Sequence, residues 1–171
     1  SHLYSDRVAY GGWPLDVHPP EGFRSKDPPC DQTFVNKLYS IPLGIMIARD
    51  IANLFLAGRC LSATHVAMGS IRVMATLAVA AQAAGTAAAL CVEYGVDPVD
   101  VRCDHVGELQ QRLLRDDAYL IGVKSEDSLD QAREAVVSAS SDMPFQADRN
   151  DGFVELEYDL AQQFPVTRGR L

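Results

Sequence analysis

A chain of 171 residues, 47% of them apolar, is long enough for one buried core and the beginning of a second. Its formal charge of −8 and pI near 4.8 exclude nucleic acid and anionic membrane surfaces as expected partners, because phosphate binding needs clustered Lys and Arg that the sequence lacks. Cys30, Cys60, Cys91 and Cys103 form no C-x-x-C pair and have no His spacing suited to zinc, so no metal site is expected, while a structural disulfide stays open.

Residues 6–40 combine Gly11-Gly12, Pro14, Pro19-Pro20, Gly22 and Pro28-Pro29 with isolated aromatics, which predicts an extended, loop-rich segment with little regular structure. Trp13 within it reads as a packing anchor. Tyr39–Leu43 is a short strand, with Pro42 suiting a sheet edge. Leu54–Ala57 is a continuous apolar run, the pattern of a strand buried on both faces.

A polar loop with two glycines, Gly58 and Gly69, follows, and then a long helix over Ser70–Tyr94 with Ser70 as its N-cap and Gly95 closing it. Its uncharged part, Val73–Val92, is long enough to raise a membrane span. It is rich in Ala and poor in Leu, Ile and Phe, so a buried core helix is the expectation and no membrane partner is expected. Gln82 and Gly85 lie on neighbouring faces, and a glycine costing about 1 kcal/mol relative to Ala inside a helix predicts close packing there.

Pro98 reads as stop chemistry. A second helix is expected over about Val106–Asp116, with Asp104 as its N-cap and Val106, Leu109, Leu113 and Leu114 on one side. From about Leu129 the texture changes to period-two alternation, in Ala135–Ser141 and again in Phe153–Leu160, which predicts strands. Two domains are expected, residues 1–123 and 124–171, the second opening with a linker.

The order and close spacing of Leu54-Phe-Leu-Ala-Gly-Arg59, Ser62-x-Thr-His65, Gly69-Ser-Ile-Arg-Val-Met74 and Gln82-Ala-Ala-Gly85 resemble the C-terminal part of the flavin-binding region of a family of FAD-dependent oxidoreductases. The likeness reaches upstream to Tyr10-Gly-Gly-Trp-Pro-Leu-Asp16-Val-His18 and downstream to Gly95-Val-Asp-Pro98. The resemblance implies an α/β fold, a partial Rossmann-like FAD-binding domain ending in strand, loop and long helix, followed by the first strands of a β-sandwich-like segment. Such proteins hold the ADP half of FAD on a Gly-x-Gly-x-x-Gly turn. The sequence contains no such turn, and it is read here as a fragment of a longer oxidoreductase, inactive and weak or empty in FAD by itself.

The resemblance also implies which residues meet the cofactor. Gly58, Arg59, Ser62, Gly69, Ser70, Ile71, Arg72, Val73 and Met74 are the candidate FAD contacts, with Gly58 and Gly69 permitting close backbone approach and Arg59 taking a ribityl or phosphate contact. The start of the long helix, with the N–H groups of Ile71–Met74 and the Arg72 cation, would favour the charge that collects near flavin N1 and the C2 carbonyl on reduction. His65 and His18 are candidate bases or substrate ligands because imidazole titrates near neutrality, and Arg72 joins them as a catalytic candidate.

Ser62, His65 and an acid suggest a hydrolase triad, but no Gly-x-Ser-x-Gly elbow is present to support it. A second reading is a non-catalytic, self-associating domain without cofactor, because a half site exposes a helix meant to be covered. A homo-oligomer is expected on that ground. The small-molecule substrate stays open among carbohydrate, amine and hydroxy acid.

Overall fold

The fold is that of a computed structural model, which describes residues 3–35, 37–131 and 135–136. The chain divides into two units, Ser1–Ile121 and Gly122–Leu171. In the first, strand β1 (Arg7–Gly11) pairs antiparallel with β4 (Tyr39–Pro42), with Ala9 opposite Ile41, Gly11 opposite Tyr39, and a bulge between Arg7 and Ala9. Between them, β2 (Leu15–Val17) and β3 (Asp31–Thr33) form a second antiparallel pair, Asp16 opposite Gln32. The Gly/Pro-rich stretch thus carries three strands where loop was expected, because the prolines sit in the connections and leave the ladder donors intact.

The expected strand at Tyr39–Leu43 is present as β4, with Leu43 opening a 3₁₀ turn to Met46. The expected strand at Leu54–Ala57 is absent. Phe55 makes a single bridge to Ile47, flanked by the Leu56 N–H to Met46 carbonyl bond of 2.6 Å, and Leu54 is exposed. An apolar run of four residues is too short to fix strand against turn.

Four helices follow: α1 (His65–Ile71), α2 (Met74–Tyr94), α3 (Pro98–Asp104) and α4 (Val106–Arg115). The expected single helix from Ser70 is therefore two helices broken at Arg72–Val73. Thr64, not Ser70, caps the first of them, its Oγ1 accepting the Ala67 N–H at 3.2 Å. Val73 is extended (φ −72°, ψ 143°) and starts α2 with no capping side chain. Gly95, left-handed at φ 65°, ends α2 as expected.

Pro98 is not a stop but the first turn of α3, where its missing N–H costs nothing, and Asp97 and Asp100 form a reciprocal capping box. The residue capping α4 is His105 rather than Asp104. Leu109, Leu113 and Leu114 are buried as expected, with Val106 half-buried beside them.

The core joins Val8 and Ala9 of β1, Ile41 of β4, Leu43 and Met46, the α2 stripe Ala80, Ala83, Ala84, Ala87 and Leu90, Val101 of α3, and Leu109 and Leu113 of α4. Alanines at helical spacing let the α2 axis lie close to β1, while α3 and α4 close its other flank. The expected buried core helix is buried along one stripe only. Met74 is 89% and Val92 84% exposed, and Gly85 has open space where close packing was expected. By length and composition α2, of mean hydropathy 1.6, is a helix that could cross a membrane; here one stripe packs on protein and the other is free.

Two buried polar side chains tie elements together. Asp6 accepts from Arg102 Nε (2.6 Å) and the Gly44 N–H (3.1 Å), and Gln110 Nε2 donates to the Ser5 and Arg7 carbonyls. In the second unit, Asp127 organises a turn by accepting the Leu129 N–H on Oδ1 and the Asp130 N–H on its carbonyl. Ala135 and Val136 belong to no regular element. The remaining residues of the expected strands lie outside the described residues.

Candidate functional site

The break between α1 and α2 organises the site. The Arg72 N–H still closes α1 on the Met68 carbonyl at 3.2 Å, the chain then extends through Val73, and the N–H groups of Met74, Ala75 and Thr76 find no acceptor within the new helix. Twenty-one residues of aligned peptide dipoles place partial positive charge at this start. The long helix expected to start at Ser70, with the Ile71–Met74 amides as its free donors, thus starts at Met74, and the Ile71 and Arg72 amides belong to α1 and its end.

Ser70 is buried near the end of α1, and its hydroxyl donates to the Trp13 carbonyl at 2.5 Å while accepting from the Tyr39 hydroxyl. Burial pushes the Tyr39 phenol up from its ordinary value, and the Ser70 hydrogen bond only partly opposes this. The pair fixes α1 to β4 and to the segment leading into β2. Trp13 is half exposed, so it anchors by its carbonyl more than by its ring.

Arg72 reaches the same segment. Its Nη2 donates to both the Asp16 carbonyl (2.9 Å) and Asp16 Oδ2 (3.1 Å). The chain of α1 can lie this near because residue 69 is glycine: a Cβ there would stand 3.0 Å from the Asp16 carbonyl oxygen. Gly69 therefore makes room for β2. His18 Nδ1 lies 2.8 Å from the Pro29 carbonyl, to which its N–H donates, and its Nε2 lies 3.6 Å from Asp16 Oδ2. The thiol of Cys30 is pushed up by burial, by the Asp16 carboxylate beside it, and by Asp31.

The candidates thus fall into three groups. Arg72 and His18 are brought together through Asp16. Gly69, Ser70 and Ile71 are buried in the support beneath. Arg59, Ser62, His65 and Met74 are exposed, and Gly58 and Val73 half-exposed. Gly58 is left-handed (φ 67°) with nothing within 4 Å of the position its Cβ would take, an open notch beside Arg59.

Asp16, which lies in the segment that carries the resemblance and ranked below His65 and His18 there, and Tyr39, which was no candidate, are both drawn into this cluster. The Asp-x-His spacing was the available signal for the first; the second has none in sequence. Among the described residues no group of three His, Cys, Asp or Glu could hold a metal ion.

The α2 start thus follows directly on an arginine held by Asp16, and Gly58 stands left-handed in an open turn of the same unit. The model of the FAD dependent oxidoreductase family matches residues 1–113, and the chain belongs to that family. FAD is accordingly the cofactor of the protein. No curated protein and no solved structure matches the chain.

Proposed function

We propose that this chain forms the flavin-ring side of the FAD site of an oxidoreductase acting on a small organic hydride donor. The observation that carries this reading is the α1–α2 break, which opens an uncapped helix start next to Arg72. The residues present suit the group: donors without helical acceptors at Met74–Thr76, a cation next to them in sequence, and the open space over Gly58. Bound FAD supplies hydride acceptance, with charge collecting near N1 and the C2 carbonyl.

In this reading Arg72 and the α2 start bear on that charge, while Val73 and Met74 border the ring. Arg59 and Ser62, both exposed, take phosphate or ribityl oxygens, and Gly58 admits them. His18, its ring held by the Pro29 carbonyl, and His65, at the first turn of α1, are the groups available to accept a proton from substrate. Ser70, Gly69 and Ile71 support the platform from below. The sequence holds no Gly-x-Gly-x-x-Gly turn for the pyrophosphate, and in this reading the isolated chain binds FAD weakly.

Met74→Asp tests the reading in the complete oxidoreductase. A carboxylate in the first turn suits the helix dipole and leaves melting unchanged or raised, yet it opposes an electron-rich ligand there, weakening FAD about tenfold for roughly 1.4 kcal/mol. Unchanged FAD affinity contradicts it.

A second reading, self-association, is favoured by the outward face of α2, where Met74 and Val92 stand in solvent with Ala75, Ala78, Ala81 and Ala89. Apolar area in water costs about 25 cal/mol per Å², and covering this face by a second copy removes that cost. Sedimentation velocity of the chain should show a dimer or larger; a monomer over a wide concentration range rules this out.

A further inference from the structure

We propose that Asp16 is a positioning residue of the flavin site, fixing the direction of the Arg72 fork and partly cancelling its charge. The inference rests on the reading that the start of α2 faces the flavin. An arginine hanging from a helix break has several rotatable bonds, whose freedom is lost when its fork is held in one direction. Here one nitrogen, Nη2, is held twice by the same residue, through the Asp16 backbone carbonyl at 2.9 Å and Oδ2 at 3.1 Å.

The anchor is itself held, being paired to Gln32 in the β2–β3 ladder and lying where a Cβ on residue 69 would meet its carbonyl. Both side chains are about three-quarters buried, at 24% and 22% exposure, so their charges are screened less than those of a surface pair. With Nη2 committed, Nε and Nη1 of Arg72 have no acceptor among the described residues. Asp16 Oδ1 is also buried and takes no bond from Arg72, while the Cys30 thiol stands against the same carboxylate. A pair built only for stability would spend these groups on each other, as in a two-toothed guanidinium–carboxylate contact. The one-nitrogen contact instead leaves the rest of the fork free for an electron-rich partner.

The charges then act in opposite directions on the same equilibrium. Arg72 favours the flavin state with added negative charge and Asp16 disfavours it. Asp16→Asn removes the charge but keeps the backbone carbonyl that holds Nη2, so Arg72 remains in place and its field is less cancelled.

The experiment is a spectroelectrochemical titration of the complete flavin-loaded oxidoreductase, comparing wild type with Arg72→Ala, Arg72→Lys, Asp16→Asn and Asp16→Ser, and with melting and FAD content measured on each. Arg72→Ala should lower the two-electron potential and Asp16→Asn raise it, each by about tenfold in the reduced-to-oxidised ratio, or about 30 mV. Arg72→Lys should recover part of its loss, and Asp16→Ser should follow Asn. Loss of stability alone cannot give shifts of opposite sign. Unchanged potential in both Asp16 variants, or a fall in both together with Arg72→Ala, overturns the role of Asp16. If instead neither Arg72→Ala nor the Asp16 variants move the potential and Met74→Asp leaves FAD affinity unchanged, the flavin is elsewhere and the underlying reading fails.

Discussion

The Ser70 hydroxyl donates a 2.5 Å hydrogen bond to the Trp13 carbonyl, tying α1 to a segment 57 positions earlier in the chain. Since that one proton is committed to Trp13, the Tyr39 hydroxyl must be the donor in its bond to Ser70. A single buried serine thus joins β4, α1 and the approach to β2. Ser70→Ala leaves the Trp13 carbonyl and the Tyr39 hydroxyl short of a partner, at about 1–3 kcal/mol. Chemical denaturation should show that loss, together with altered emission of Trp13, the single tryptophan.

Tyr39 should mark the alkaline limit of the fold. Its folded-state value lies above the ordinary 10.0 because burial penalises the phenolate. Its contribution is therefore fully present below about pH 10 and lost as pH rises through the raised value. Cys30, Cys91 and Tyr94 are raised too, but they titrate alike in wild type and Tyr39→Phe, so the difference between the two isolates Tyr39. The variant should be about 1 kcal/mol less stable at neutral pH and converge on wild type above pH 10 in a stability–pH profile.

At Gly69 two effects compete. Alanine favours helix over glycine by about 1 kcal/mol, but its Cβ would meet the Asp16 carbonyl oxygen at 3.0 Å, and forced overpacking costs about 1–3 kcal/mol. Backbone rather than a flexible side chain stands in the way, so the steric cost wins. Gly69→Ala should lower the melting temperature, while Gly85→Ala, in open space on α2, should raise it.

Local chemistry was legible in the sequence where it involves neighbours only. Gly95 and Pro42 signal the end of α2 and an edge strand, and the period of Leu109, Leu113 and Leu114 signals α4. Asp97-Pro98 with Asp100, and Thr64 before His65, also carried capping signals, but each lay next to a stronger pattern that masked it. The break at Arg72–Val73 leaves no such mark, since Arg, Val and Met all continue a helix tolerably well. What holds it open is the reach of Arg72 to Asp16 and of Ser70 to Trp13, contacts more than fifty residues apart in sequence. The motifs reported the family correctly, whereas the helix start that the site depends on was displaced by four residues for want of those contacts.

The central claim, that the segment from Gly58 to Thr76 faces the flavin, is tested most directly by hydrogen–deuterium exchange of the complete oxidoreductase with FAD and after its removal. Met74, Ala75 and Thr76 carry amides without helical acceptors, so they exchange fast when uncovered and slowly when a ligand covers or bonds them. The account predicts strong FAD-dependent protection in peptides spanning 58–76, with little change in α3 and α4. Equal exchange of the 58–76 peptides with and without FAD, alongside protection elsewhere, would contradict it.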